Sequence, residues 1–248
     1  MLKIISDSII LLILFIACKK PEMVTATVPA SPVDTISDTT VIPQPVINKT
    51  FLALGDSYTI GQSVAVNERY PVQTVAQLNN QNIKFDAPEI IAQTGWTTGS
   101  LLFRIDNTPP LRTTYDIVTL LIGVNNQYRG LPVDEFKTDF GFLLRKAIRF
   151  SGEHANRVMV LSIPDWGTTP FAAKKDGKKI SEEIDSFNAV CEAAAQENKT
   201  HYINITEESR KVKKDSTLLA NDHLHYSGKA YAVWAEKLAS VIKQQAHK

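Results

Sequence analysis

The chain has 248 residues, and its 27 lysine and arginine residues nearly balance its 26 aspartate and glutamate residues, which gives a formal net charge of +1. Both signs are mixed along the whole chain. Because no basic stripe forms, nucleic acid is excluded as an expected partner.

The N-terminus carries an apolar run, Ile9–Ala17, between Lys3 and Cys18. This run is shorter than the about 20 residues that span a bilayer, and it fits the core of a secretory signal. Its ending, FIAC at 15–18, resembles a bacterial lipobox, in which cleavage leaves a lipid-modified cysteine. We therefore predict that 1–18 is a signal peptide with lipid attachment at Cys18, and that the protein is anchored in the bacterial cell envelope outside the cytoplasm, periplasmic or on the surface. The alternative is an uncleaved N-terminal membrane anchor.

Residues 19–49 contain five prolines and neither glycine nor an aromatic residue. Such a segment buries too little apolar surface to offset the entropy of ordering it, so we predict an extended, disordered tether. A single globular domain is expected over 50–248. If Cys18 carries lipid, Cys191 has no disulfide partner, and its place in a helical pattern predicts a small buried apolar residue.

Within this domain, apolar strand-like runs alternate with segments of helical periodicity. The predicted strands are 50–54, 89–93, 115–122, 157–163 and 201–205, and the predicted helices are 71–80, 97–105, 134–151, 179–197 and 227–245. Continuous apolar strands that alternate with amphipathic helices indicate an α/β fold, with a parallel sheet covered on both faces.

Polar and glycine-containing turns follow four of these strands: 55–57, 94–96, 123–126 and 164–166. In a parallel sheet the carboxyl ends of the strands meet at one edge, where ligands bind. The sequence therefore predicts that these four turns converge on one site.

The residue types at this edge point to nucleophilic catalysis. A serine such as Ser57 becomes a good nucleophile when a histidine accepts its proton and a carboxylate holds that histidine in one tautomer. Asp222 and His225 are three residues apart, and on helix-like backbone this spacing places them on one face. Backbone N–H groups of Ser57 and Gly95, together with the side-chain amide of Asn125, are candidate donors to an oxyanion.

These blocks, GDSYTIG, the isolated Gly95, GVNN and DHLH, occur in the order found in the GDSL family, also called SGNH hydrolases. The resemblance extends over about 51–235 and implies a three-layer α/β/α, flavodoxin-like fold with a five-stranded parallel sheet. It implies neither a metal nor an organic cofactor. The implied roles are nucleophile and first oxyanion donor for Ser57, further oxyanion donors for Gly95 and Asn125, general base for His225, and base partner for Asp222.

Two positions depart from the pattern of the family. Asn126 stands where the family usually has aspartate, and because that aspartate is mainly structural we expect a modest effect. Tyr226 stands where the family often has proline, and we expect it to alter the pocket wall beside His225.

The predicted reaction is hydrolysis of carboxylic esters through an acyl-enzyme on Ser57. We expect a small-molecule, glycan or lipid ester as substrate, with short acyl groups such as those of O-acetylated glycans favoured because no long apolar lid is present. One alternative is a lysophospholipase or lipase, and another is a surface lipoprotein that binds glycans without catalysis. Aromatic residues near the edge are expected either to contact substrate or, for Trp166, to fix its own loop. These aromatic residues are Tyr58, Trp96, Tyr128, Trp166 and Tyr226.

Overall fold

The computed structural model describes residues 47–246. The predicted signal peptide, its lipid attachment site Cys18 and nearly all of the predicted tether lie outside the described residues. Lys49, the last residue of the predicted tether, already pairs with the domain. Its N–H donates to the Lys84 carbonyl at 2.8 Å, and its own carbonyl accepts from the Asp86 N–H at 3.0 Å.

The described chain forms one five-stranded sheet in the order β2-β1-β3-β4-β5, and every neighbouring pair is parallel. Helices cover both faces of β1, β3 and β4, which are buried along their whole lengths. The strands are β1 Phe51–Gly55, β2 Glu89–Ala92, β3 Ile117–Leu121, β4 Val158–Leu161 and β5 His201–Ile203. The predicted α/β class and the five-stranded parallel sheet are confirmed. Four predicted strands, all but the first, were too long. For 157–163 and 201–205 the reason is that burial continues at Ile163 and Ile205 after strand pairing has ended.

Helices α2 and α8 pack against each other, while α3, α5 and α6 form a second packed group. Right-handed crossovers place these two groups on opposite faces of a sheet with this strand order. The helices are α1 Ser57–Ile60, α2 Tyr70–Asn80, α3 Thr98–Asn107, α4 Val124–Tyr128, α5 Val133–Phe150, α6 Gly177–Glu197, α7 Thr206–Ser209 and α8 Gly228–Ala246. Short 3-10 turns lie at Val66–Glu68, Ala155–Arg157, Trp166–Thr168, Pro170–Ala172, Arg210–Lys213 and Ser216–Leu218. Among 47–246, no helix combines the length and apolarity that crossing a membrane requires.

The strand order fixes where a ligand site belongs. The chain passes from β1 outward to β2 and then returns to the other side of β1 to form β3. This reversal makes a topological switch point between β1 and β3, and a crevice opens there at the carboxyl ends of the strands. Gly55, at the end of β1, lies opposite Leu121 of β3. The turns after these two strands therefore flank the crevice.

The core on the α8 side is rich in aromatic residues. The Trp234 ring lies 4.9 Å from Tyr231, 5.1 Å from Tyr226 and 6.5 Å from Tyr58 between ring centroids. Tyr58 belongs to α1, so this cluster ties the segment that carries Ser57 to α8. On α6, Cys191 is fully buried as predicted, and burial raises the pKa of its thiol.

Candidate active site

The turn after β1 places Ser57 at the first position of α1. Only glycine fits at Gly55, because a Cβ there would lie 2.1 Å from Thr59 Oγ1 and 2.4 Å from the Leu121 carbonyl oxygen. Asp56 caps the helix through its Oδ1, which accepts from the Tyr58 N–H at 3.1 Å. The GDS block is therefore both a helix start and the support that holds Ser57 at the crevice.

The capping carboxyl of Asp56 is buried in this turn. Its Oδ2 atom has no hydrogen-bond partner among the described residues. Burial raises the pKa of Asp56 to about 7, and backbone hydrogen bonds oppose that rise only in part. In the folded protein this carboxyl is therefore about half ionised near neutral pH.

His225 and Asp222 are in direct contact. Asp222 is ionised and can only accept, so His225 Nδ1 donates to its Oδ2 at 2.7 Å and the other ring nitrogen, Nε2, is left as the basic one. The backbone between them is a turn and not the helix-like segment that we expected, since His223 has a left-handed φ of +59°. Asp222 Oδ1 closes this turn by accepting from the N–H groups of Leu224 at 3.0 Å and His225 at 2.8 Å.

Ser63 adds a bond that the sequence did not suggest. Its hydroxyl donates to Asp222 Oδ2 at 2.5 Å, across 159 positions of the chain. Partial burial by itself would raise the pKa of Asp222, but hydrogen bonds from Ser63, Leu224 and His225 outweigh it and hold the pKa well below its usual range. The carboxylate that faces His225 therefore stays charged at neutral pH.

Gly95 and Asn125 lie on the segments that follow β2 and β3. Gly95 has a φ of +83°, which favours glycine. Its carbonyl accepts from Arg129 Nη2 at 2.7 Å. Asn125 follows β3 on α4, and its Nδ2 donates to the Trp96 carbonyl at 2.9 Å, which leaves the second amide hydrogen free to meet a ligand.

Ser57, Gly95, Asn125 and His225 line one pocket with a volume of about 230 Å³. The structure thus brings together four of the five residues singled out at this edge, and Asp222 supports His225 from behind. An aromatic wall, formed by Tyr128, Trp166 and Phe171, closes one side of this pocket. Its rings meet edge to face, with centroids 5.4 Å apart for Tyr128–Trp166 and 6.0 Å apart for Trp166–Phe171.

Trp166 is 3% exposed, and its Nε1 donates to Gln127 Oε1 at 2.7 Å. Its carbonyl also accepts from the Thr169 hydroxyl at 2.7 Å. Trp166 therefore fixes its own loop, as one of the two interpretations predicted, and it also forms part of the pocket wall. Its contact with substrate stays a prediction. Phe171, the third member of the wall, was missed because nothing in its local sequence marks it.

Two aromatic predictions differ from the structure. Trp96 does not line the pocket and lies over a separate depression along α3. Tyr226 was expected at the pocket wall, but it is fully buried in the core, where its hydroxyl donates to the Asp165 carbonyl at 3.3 Å. This prediction was wrong because the chain turns inward after His225 to begin α8.

The arrangement defines a class of protein: an α/β/α hydrolase that holds a serine at the end of β1 opposite a histidine–aspartate pair. The sequence profile of the GDSL-like Lipase/Acylhydrolase family matches residues 53–233. The chain therefore belongs to this family, and it is a serine hydrolase that acts on ester bonds. The predicted family resemblance and enzyme class are confirmed. No match was found among curated proteins.

Solved structures share the fold at low sequence identity. A lipase/acylhydrolase from Enterococcus faecalis is 18% identical with a TM-score of 0.62, over 79% of this chain and 96% of its own. The esterase EstA from Pseudoalteromonas sp. is 20% identical with a TM-score of 0.57, over 81% and 100%. The acetylxylan esterase Axe2 from Geobacillus stearothermophilus is 16% identical with a TM-score of 0.60, over 78% and 94%. At these identities the likeness concerns the fold alone.

Proposed function

We propose that this protein is an extracytoplasmic, lipid-anchored serine esterase that cleaves short acyl esters through an acyl-enzyme on Ser57. One observation carries the proposal: Ser57, Gly95, Asn125 and His225 share a single pocket, with Asp222 Oδ2 2.7 Å from His225 Nδ1. A nucleophile, a base held in one tautomer and a set of oxyanion donors are the groups that acyl transfer requires.

In this mechanism His225 Nε2 accepts the Ser57 hydroxyl proton as Oγ attacks the ester carbonyl. The oxyanion that forms accepts hydrogen bonds from the N–H groups of Ser57 and Gly95 and from Asn125 Nδ2. The Ser57 N–H is available because the first N–H groups of a helix have no acceptor within it. His225 then protonates the leaving alcohol. Water, deprotonated by the same histidine, attacks the acyl-enzyme and releases the acid.

The size and lining of the pocket support a short acyl group. Its volume of about 230 Å³ lies below the roughly 300–1,000 Å³ that is usual for sites of drug-sized ligands. The buried Trp166 closes it, which disfavours a long lipid chain. Tyr128 and Phe171 at the rim are 51% and 43% exposed and offer flat surfaces to the alcohol part of a substrate. An O-acetylated glycan combines a small acyl group with a sugar ring that suits these surfaces, and Axe2 offers a precedent on this fold.

The cellular place of the enzyme is proposed from the sequence. The signal-like run that ends at Cys18 supports a lipid anchor, and residues 19–49 support a tether between the anchor and the hydrolase domain of 50–248. Export of the chain and fatty acylation of Cys18, followed by mass spectrometry of the N-terminal peptide, would test this part separately.

The catalytic proposal is tested by hydrolysis of p-nitrophenyl acetate, butyrate and decanoate by the full chain in mild detergent. We expect acetate and butyrate to be preferred, and Ser57→Ala to abolish turnover. Ser186→Ala serves as the matched control, because Ser186 is exposed on α6 and its hydroxyl bonds back to the Glu182 carbonyl at 2.9 Å. This control should retain wild-type turnover.

A phosphonate ester gives a second readout, since it should add one covalent adduct to the wild type and none to Ser57→Ala. A preference for decanoate would favour a lipid ester hydrolase. A folded wild type with neither turnover nor adduct would overturn the catalytic proposal in favour of glycan binding without catalysis.

A further inference from the structure

Three polar side chains from separate elements meet beside the proposed oxyanion donors. Thr98 begins α3, Asn126 lies on α4 and Asp139 lies on α5. The Thr98 N–H donates to Asn126 Oδ1 at 3.0 Å, Asn126 Nδ2 donates to Thr98 Oγ1 at 2.7 Å, and Thr98 Oγ1 donates to Asp139 Oδ2 at 3.0 Å. We call these three residues the clasp.

The direction of every bond in the clasp is fixed by chemistry. The Thr98 backbone N–H is a donor, so the atom of the Asn126 amide that faces it must be the oxygen. The amide nitrogen must then face the Thr98 hydroxyl, and a nitrogen of this kind only donates. Thr98 Oγ1 therefore accepts from Asn126, and its single hydrogen is left for Asp139, which only accepts when ionised.

The clasp lies next to Gly95 and Asn125, the two proposed oxyanion donors that do not belong to α1. Asn126 follows Asn125, and Thr98 lies three positions after Gly95. The bond from Asn125 Nδ2 to the Trp96 carbonyl is a second tie between the same two segments. Thr98 and Asn126 are 0% and 1% exposed, so water does not replace these bonds easily. The distance between the Gly95 N–H and the Asn125 amide thus depends on the clasp.

We propose that Asp139 is a positioning residue for the oxyanion donors, and that it acts from α5 through Thr98 and Asn126. This inference rests on the proposed function. An aspartate at 126 would make the Thr98 hydroxyl face two carboxylates with only one hydrogen to donate. Asparagine at 126 and aspartate at 139 therefore form a matched pair, and the exchange of both should preserve the site.

The test compares Asn126→Asp, Asp139→Asn and the double variant in the full chain with p-nitrophenyl acetate. Asn126→Asp should lower kcat by about ten- to a hundredfold with little change in KM, short of the roughly 10²–10³ that follows loss of an oxyanion donor. Asp139→Asn should stay within about threefold, since its amide oxygen still accepts from Thr98.

In the double variant the bonds reverse. The new amide at position 139 donates to Thr98 Oγ1, and the Thr98 hydroxyl donates to the new carboxylate at position 126. Every group in the clasp then has a partner again, so kcat should recover at least about tenfold relative to Asn126→Asp.

Asp134→Asn provides the matched control, because Asp134 is an exposed carboxylate on the same helix. It should not rescue Asn126→Asp. The proposal would be overturned if Asp134→Asn and Asp139→Asn restored the kcat of Asn126→Asp equally, because that result would point to a general effect of charge. It would also be overturned if a folded Asn126→Asp variant had the kcat of the wild type.

Asp139→Ala covers the case in which Asn126→Asp does not fold. This variant removes the acceptor without burying a new charge. We expect its kcat to fall about tenfold, whereas Asp139→Asn, which keeps an acceptor, should stay within about threefold. Equal kcat in the two variants would contradict the proposal.

If wild-type turnover proved independent of Ser57, the proposed function would fail by itself. The clasp would then still be judged by the non-additivity of Asn126→Asp and Asp139→Asn in thermal unfolding.

Discussion

The two sides of the pocket are built in different ways. On the histidine side, Asp222 and His225 lie three positions apart, and one carboxylate closes its own turn through two backbone N–H groups. On the oxyanion side, the bonds that hold Gly95 and Asn125 in place join residues 28 to 41 positions apart. The geometry of the histidine side is therefore determined mostly by one short segment, whereas that of the oxyanion side depends on how three elements pack together.

The largest expected effect tests the local side. Asp222→Asn should lower kcat by about 10³–10⁴-fold, because the turn keeps Oδ1 on the backbone N–H groups and thereby aims the new amide N–H₂ at His225 Nδ1. His225 is then held in the wrong tautomer, with its proton on Nε2. Steady-state kinetics on p-nitrophenyl acetate would measure the loss.

Asp215→Asn is the control for this variant, since Asp215 Oδ1 closes a similar turn by accepting from the Thr217 N–H at 3.0 Å. If kcat fell equally in both variants, the change from carboxylate to amide in such a turn, and not the tautomer of His225, would explain the loss.

The next effect tests the oxyanion side. Gly95→Ala places a side chain at a φ of +83°, where the nearest atom to the new Cβ is Arg129 Nη2 at 3.9 Å. Space is therefore available, but the backbone conformation costs about 1–2 kcal/mol. Relaxation of this strain should turn the Gly95 N–H away and lower kcat by about tenfold or more, with KM little changed. Kinetics combined with denaturant unfolding would separate the two effects, and a stability loss with unchanged kcat would contradict a role for this N–H.

A smaller effect sharpens the comparison, because one long-range bond also supports the histidine side. Ser63→Gly removes the hydroxyl that Asp222 accepts and suits the left-handed φ of +68° at this position. We expect kcat/KM to fall about three- to tenfold, because this bond is exposed to solvent and one intramolecular hydrogen bond usually contributes about 0.5–1.5 kcal/mol. Asn82→Gly, at a φ of +64° away from the pocket, controls for the release of backbone strain. Equal values for the two variants would show that the histidine turn needs no outside support.

The last prediction concerns Asp56 and the dependence of stability on pH. The pKa of this carboxyl is near its ordinary value of 3.8 in the unfolded chain, and burial raises it to about 7 in the folded protein. Between about pH 4 and about pH 7 the folded state therefore binds more protons than the unfolded state, and stability falls as pH rises. Asp56→Asn removes this contribution and keeps the capping oxygen. Thermal unfolding should show that the stability of the variant rises relative to that of the wild type between about pH 5 and about pH 8. A difference in stability that does not change with pH would contradict the raised pKa.

Sequence patterns predicted the sheet and the long helices well, because hydrophobic periodicity is a local property of the chain. The strand ends were less well predicted, since Ile163 and Ile205 are as buried as the strands that precede them. Helix α4 was read as a simple turn: its five residues are too few to show a helical period. Tyr226 was misplaced because its direction depends on where α8 packs.

The sequence by itself determined the alternation that makes a parallel sheet, the convergence of polar turns on one edge, and the spacing of Asp222 and His225. Only the tertiary structure decided that Ser63 supports Asp222, that Trp166 and Phe171 close the pocket, and that Asp139 completes the clasp with Thr98 and Asn126. The physical reason is range: periodicity and turn chemistry act over a few residues, while these contacts join side chains that meet only after the sheet and its helices have packed.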